Sequence, residues 1–218
     1  MNESLQLFLE SFWPIVVGGL TGTIPLALAS FAIGLVLALG VALMRLSKSP
    51  VLSNIARFYV SVIRGTPLLV QLFVIFYGLG AIGLVIDPWP SAIVAFSLNV
   101  GGYAAEVIRA AILSVPKGQW EASTALSLPV MTTWQRVVLP QAIRKIIPSL
   151  GNYVISMAKE VPFLLFISVP EMVAQAKDIG GANFRYLEPF TICGLIYLAF
   201  SYPASVLMRK LEIRLEIA

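Results

Sequence analysis

Four stretches of this chain carry no charged residue: Ser11 to Met44, Gly65 to Ile86, Pro88 to Ala105 and Pro189 to Met208. A helix that crosses the hydrocarbon of a bilayer needs roughly 17–25 mostly apolar residues, and each stretch meets that length. The expected fold class is therefore all-α and integral to a membrane. Composition agrees: 58% of residues are hydrophobic and 12% charged, against roughly a quarter charged in an average soluble domain. The first stretch is too long and continuous for a cleaved signal peptide, whose apolar core is roughly 7–15 residues. Glu3 and Glu10 stand where such a peptide starts basic, so Met1 is expected to be retained.

What is missing narrows the chemistry. The chain has no histidine, which removes Ser-His-Asp and Cys-His catalysis and most zinc sites. Its one cysteine, Cys193, lies in an apolar run and makes neither an intrachain disulfide nor a thiolate metal site. No catalytic residue and no metal ligand is expected. The net charge of +4 would point to nucleic acid in a soluble protein. Here membrane topology explains it, and no nucleic-acid partner is expected.

Five spans fit, near 18–44, 58–79, 91–113, 143–167 and 189–208, in one membrane domain over residues 1–218. Cytoplasmic loops carry an excess of Lys and Arg. With the N-terminus outside and the C-terminus inside, Arg45, Lys48, Arg57, Arg64, Arg109, Lys117, Arg136, Arg144, Lys145, Arg209, Lys210 and Arg214 all fall at or near the inner face. Lys177 and Arg185 fall outside, and Lys159 within a span. Trp13 and Trp89 sit at outer span ends, where interfacial aromatics are favoured. The first span holds Gly18, Gly19, Gly22, Pro25, Gly34 and Gly40, small or helix-breaking residues that suit close packing against protein. The fourth is interrupted by Lys159-Glu160-Val161-Pro162, which must be buried or face water.

The inner loop, 114–142, is long and patterned. Ser114-Val115-Pro116 reads as a helix start, with proline tolerated in the first turn. A helix from about Pro116 to Leu128 would carry Ala122, Ala125 and Leu126 on one side. Pro129 interrupts it, and Thr132 or Thr133 caps a second short helix that ends at Pro140. Two short helices on the inner face suggest a soluble partner.

The residues here carry a resemblance. Gly118-Gln119-Trp120-Glu121-Ala122-Ser123, followed by Leu139-Pro140-Gln141-Ala142, resembles the EAA loop of ABC importer membrane subunits. Arg64-Gly65-Thr66-Pro67-Leu68-Leu69-Val70-Gln71, Tyr103-Ala104-Ala105-Glu106, Lys117-Gly118-Gln119 and Phe184-Arg185-Tyr186-Leu187-Glu188-Pro189 are similar to the polar amino acid branch, in order and across nearly the whole chain. The resemblance implies a type I permease fold with five spans, working as a dimer with a second copy or a homologue in the bacterial inner membrane. It implies two cytoplasmic ATPase subunits that hold the ATP and Mg²⁺, with no cofactor on this chain, and an extracytoplasmic amino-acid-binding protein. By the same resemblance Gly118, Glu121, Ala122, Ser123, Ser127, Leu139 and Pro140 form the coupling site. Glu121 would face a basic residue of the ATPase, and Ala122 and Ser123 would pack in its groove. Closure of the ATPases would then rotate the two membrane halves.

Two positions depart from the family pattern. Ser127 stands where the family has a glycine, a residue that suits a φ > 0 turn, so Pro129 is expected to redirect the chain instead. The family's Lys-Asp-Thr-Ser-Leu-like run is Lys159-Glu160-Val161-Pro162-Phe163 here, with Val and Pro in place of hydroxyls.

Charged and polar residues inside spans face the bundle interior or a water-filled cavity. Gln71, Asn99, Tyr103, Glu106, Lys159 and Glu160 are the candidates for a substrate pathway, and Asn99, Tyr103 and Glu106 share one helix face. Glu106 has two readings: it meets a substrate ammonium, or it ties helices together through Arg109 or Lys159. Lys159 and Glu160 read as a gating or structural pair. Gly65, Thr66 and Pro67 form a hinge or a plain kink. The alternative to an ATP-driven importer is an ion-coupled secondary transporter or channel subunit, supported by the intramembrane charges and opposed by the patterned inner loop.

Overall fold

A computed structural model gives the fold and describes residues 3–217. Helix α1 runs unbroken over Glu3–Leu46. Its 44 residues extend roughly 66 Å at 1.5 Å each, twice a hydrocarbon core of roughly 30 Å. The span expected at 18–44 is thus the second part of a longer helix. A wide turn at Gly19–Thr23 separates the parts, with the Ile24 N–H reaching back to the Gly19 carbonyl. Pro25 follows at once, so its missing N–H falls where the hydrogen-bond ladder is already shifting register.

The stretch expected as one span at 58–79 is two helices. α2 (Pro50–Gly65) and α3 (Leu68–Ala81) meet at a bend of 106°. Thr66 and Pro67 between them are extended, as a residue preceding proline prefers. This is a break rather than a kink.

Helix α4 (Pro88–Leu113) is the centre of the bundle, packed by the second part of α1, by α2 and α3, and by α6 (Val130–Ile167). Small side chains let the backbones close. A Cβ on Gly34 would stand 2.7 Å from the Ser97 carbonyl oxygen, and only glycine fits that crossing. Tyr59 adds a bond to the Leu98 carbonyl at 2.6 Å.

Between α4 and α6 lies the short helix α5 (Lys117–Ala125). The second inner-loop helix expected to end at Pro140 does not end there. It is the first part of α6 and runs through Pro140 to Ala158 before a turn at Lys159 and a tighter segment, Val161–Ile167. A wide turn at Trp134–Val138 precedes Leu139-Pro140 and absorbs the proline as at Pro25. Nor do Thr132 or Thr133 cap it: Pro129 holds the cap position without a side-chain bond, and Thr133 is buried.

Helices α7 (Met172–Asn183) and α8 (Leu187–Ile217) complete the chain against the first part of α1. Here Glu171, fully buried, caps α7: its carboxylate accepts the Ala174 N–H at 2.7 Å and the Thr23 hydroxyl at 3.4 Å. Gly22 permits this approach, since a Cβ there would lie 2.8 Å from the Glu171 Cα.

Candidate functional site

The break between α2 and α3 opens a cleft of about 570 Å³ in the middle of the apolar helices, lined by Thr66 to Leu69, Asn99, Tyr103, Tyr153, Ser156, Glu160 and Phe163. Part of its polar wall is joined by hydrogen bonds. The Tyr153 hydroxyl donates to Asn99 Oδ1 at 2.8 Å, and Asn99 Nδ2 donates to Gln71 Oε1 at 3.1 Å. Gln71 Nε2 in turn donates to the carbonyls of Ile63 (2.7 Å) and Thr66 (3.0 Å). Those carbonyls are orphaned because α2 ends there and Pro67 has no N–H to offer. The rings of Tyr103 and Tyr153 stack with centroids 5.6 Å apart, and the Arg64 guanidinium lies 5.5 Å from the Tyr103 ring centre.

Of the six residues expected on a pathway, Asn99, Tyr103 and Glu160 line the cleft, while Gln71 stands behind it as support. Glu106 is elsewhere. Both its oxygens accept Arg109 Nε at 3.1 Å, a terminal nitrogen of Arg109 adds a further contact, and Arg45 reaches it at 3.6 Å. It ties α1 to α4, and Lys159 takes no part. Lys159 and Glu160 do not form the expected pair: Lys159 is exposed, and among the described residues no cation lies within 4.0 Å of the Glu160 carboxylate. Tyr153 and Ser156 went unnoticed in the sequence, although their spacing with Glu160 puts all three on one face of α6. A second cavity of about 260 Å³, between α1, α6 and α8, has no charged residue in its wall.

The segment between α4 and α6 presents a different surface. Glu121 and Ala122 are exposed on α5. Ser123 is not: it is buried within the chain and donates to the Gln119 carbonyl at 2.8 Å. The groove contact implied for Ser123 is therefore closed to a partner in this arrangement. Ser127 takes the glycine's role itself, with φ 51°. The Leu128 N–H bonds the Ser123 carbonyl at 3.0 Å and the Ser127 N–H bonds that of Thr124 at 2.9 Å, the paired bonds that end a helix in a left-handed residue. Pro129 is not what turns the chain. Trp120 meets Trp134 edge to face at 5.4 Å and fastens α5 to α6. Leu126, Val130 and Met131 are left exposed beside it at 72%, 75% and 66%. Gly118 and Pro140 are also exposed, and Leu139 is half-buried. Val130 and Met131 were missed; two large apolar residues directly after Pro129 in a polar loop were the available signal.

A helical bundle with a bent second span, a cleft at the bend and an exposed short helix α5 is shared with the membrane subunits of transport systems. Residues 30–217 match the family described as the binding-protein-dependent transport system inner membrane component, and the chain belongs to that family. It is 47% identical to the L-cystine transport system permease protein TcyB of Bacillus subtilis (strain 168), over 97% of this chain and 91% of that one. It is 37% identical to the arginine transport system permease protein ArtQ of the same organism, over 91% and 93%. A crystal structure of an amino acid ABC transporter with histidines superposes with TM-score 0.87 at 36% identity, covering 92% of this chain and 94% of that one. The MetNI methionine ABC transporter shares the fold, with TM-score 0.69 at 17% identity over 99% of each chain. The protein is a multi-pass inner membrane component of a transport system. Among the described residues no group of three or more His, Cys, Asp or Glu could hold a metal ion.

Proposed function

We propose that this chain is the transmembrane subunit of an ATP-driven importer of polar amino acids, with its N-terminus outside and its C-terminus in the cytoplasm. The observation that carries the substrate class is the cleft at the bend. One half-buried carboxylate, Glu160, faces it with no cation of the described residues within 4.0 Å, among hydroxyl and amide groups. A zwitterion or cation suits that wall: its ammonium pairs with Glu160, and its side chain lies along the Tyr103–Tyr153 stack. The relatives named for cystine and arginine support the class.

The second half of the pathway is another copy of this chain or a homologue, and an extracytoplasmic binding protein delivers the substrate. A cytoplasmic ATPase dimer holds the ATP and Mg²⁺. It docks on Glu121, Ala122, Leu126, Val130 and Met131, exposed around the start of α6. Gly65, Thr66 and Pro67 form the hinge of the cleft. Proteoliposomes holding the permease, ATPase and binding protein should take up amino acid only with ATP. Uptake without the ATPase, driven by an ion gradient, would sink the proposal. Glu121→Lys should lower uptake tenfold or more and release the ATPase on co-purification. An intact complex with full uptake would remove Glu121 from the docking site.

A further inference from the structure

We infer that Tyr153, Asn99 and Gln71 are positioning residues that transmit movement of the inner loop to the bend at Thr66-Pro67; the inference rests on the importer reading above.

The physical case begins with α6. Its first turn, around Val130 and Met131, is exposed beside α5, and the same helix continues to Tyr153 in the cleft. That path is roughly 35 Å at 1.5 Å per residue, and the Trp120–Trp134 contact fastens α5 to its start. A push on the exposed end therefore arrives at the Tyr153 hydroxyl.

The hydroxyl is committed to a single chain of bonds. Tyr153 donates to Asn99 Oδ1, Asn99 Nδ2 donates to Gln71 Oε1, and Gln71 Nε2 holds the Ile63 and Thr66 carbonyls. The Thr66 hydroxyl also accepts from Gln71 Nε2 at 2.9 Å. Each amide is used at both ends. Gln71 cannot turn over without abandoning both the carbonyls at the end of α2 and the donor from Asn99. Asn99 cannot turn without losing both Tyr153 and Gln71. The three orientations stand or fall as a set, and unmet backbone carbonyls are costly among apolar helices. The set has two ends: one at α6, which the partner can move, and one at the Ile63 and Thr66 carbonyls at the end of α2. Displacing Tyr153 removes the donor that fixes Asn99 Oδ1 and loosens the bend, which reshapes a cleft whose wall is that bend. Gln71 itself does not line the cleft, so its role is to hold geometry rather than to touch substrate.

The test uses the whole complex in proteoliposomes, reading substrate imported per ATP hydrolysed, with KM and maximal uptake measured separately. Tyr153→Phe keeps the ring stack and deletes the donor. Asn99→Asp keeps the acceptor for Tyr153 and deletes the donor to Gln71. Each should lower the import per ATP at least tenfold through maximal uptake, with KM within about threefold. The double variant should be no worse than the poorer single one, because both cut one chain. Import per ATP within twofold of the parent overturns the inference. So does a double variant whose loss is the product of the singles, or a loss confined to KM, which would make these groups direct substrate contacts. Gln71→Glu, which removes the donor to both carbonyls, is the third variant. If none of the three assembles with the ATPase, the bonds serve folding alone and the inference fails. An unaltered complex with no ATP-driven uptake would overturn the importer reading itself, a separate result.

Discussion

Glu106 receives Arg109 from its own helix and Arg45 from the end of α1, whereas Glu160, at the turn in α6, faces a cleft with no cation within 4.0 Å among the described residues. Both are carboxylates inside apolar helices. One has its charge met by two arginines, and the other is in no ion pair among the described residues. A carboxylate stripped of water needs a cationic partner or a proton. Where the fold supplies the partner the residue is a tie; where it does not and a cleft reaches the group, the residue is a candidate for binding. The contrast teaches that intramembrane charge marks importance without saying which kind.

The largest effect that tests this contrast is expected at Glu160. Removing one member of a desolvated charge pair costs about 2–5 kcal/mol, and 1.4 kcal/mol is tenfold. Glu160→Gln should therefore raise the KM for amino acid uptake at least about 30-fold, with the ATPase still bound and Glu160→Asp recovering part of the loss. Equal KM values for cationic and neutral substrates in the parent and the Gln variant would place the binding group elsewhere and dissolve the contrast.

A smaller and different effect is expected at Glu106. The Gln variant leaves Arg45 and Arg109 facing each other without an anion. Removing one partner of a fully buried pair costs about 3–5 kcal/mol. These side chains keep 15–25% exposure, so about 2 kcal/mol is the expected loss. Thermal unfolding in detergent reads it, and the deficit should shrink in high salt as the two arginines are screened. A variant as stable as the parent but with a changed substrate preference would return Glu106 to the pathway.

Why the two could not be told apart from sequence is physical. Asn99, Tyr103 and Glu106 do share a face of α4, as spacing predicts, but α4 is packed by different neighbours along its length. Asn99, in its middle, meets the broken span and Tyr153, while Glu106, two turns further on, meets Arg45, which is remote in sequence. Periodicity gives a face, not what stands opposite. The five-span plan was legible because uninterrupted apolar runs need no partner to be recognised. The helix joints were not, because wide turns before Pro25 and Pro140 let helices run through residues that ordinarily stop them. At Ser127 a local rule was overridden. A left-handed serine costs about 1–2 kcal/mol, and the two backbone bonds at the end of α5 hold it there regardless. The exposure of Glu121 was legible from the loop's pattern, while the burial of Ser123 two residues on depended on which side of α5 met α6.

A third carboxylate sharpens the comparison with the smallest effect. Glu171, in the connection between α6 and α7, is fully buried and meets only neutral donors: the Ala174 N–H and the Thr23 hydroxyl. The titratable groups near it are Cys193 and Tyr197 of α8, both uncharged in their protonated forms, while from α1 it meets Thr23. Burial pushes its pKa above the ordinary 4.5, partly offset by these hydrogen bonds. A carboxyl that holds its proton more tightly folded than unfolded contributes stability in full below the ordinary value. That contribution is lost as pH rises through the raised pKa. Gln in its place keeps an acceptor for Ala174 and a donor toward Thr23 and has nothing to ionise. Glu171→Gln should therefore match the parent in thermal stability at acidic pH and exceed it increasingly as pH rises. A parent curve that rises with pH instead would mean that Glu171 is held as the carboxylate. The fold would then support a buried charge on neutral donors alone, and an absent cation would no longer mark Glu160 as the group left for substrate.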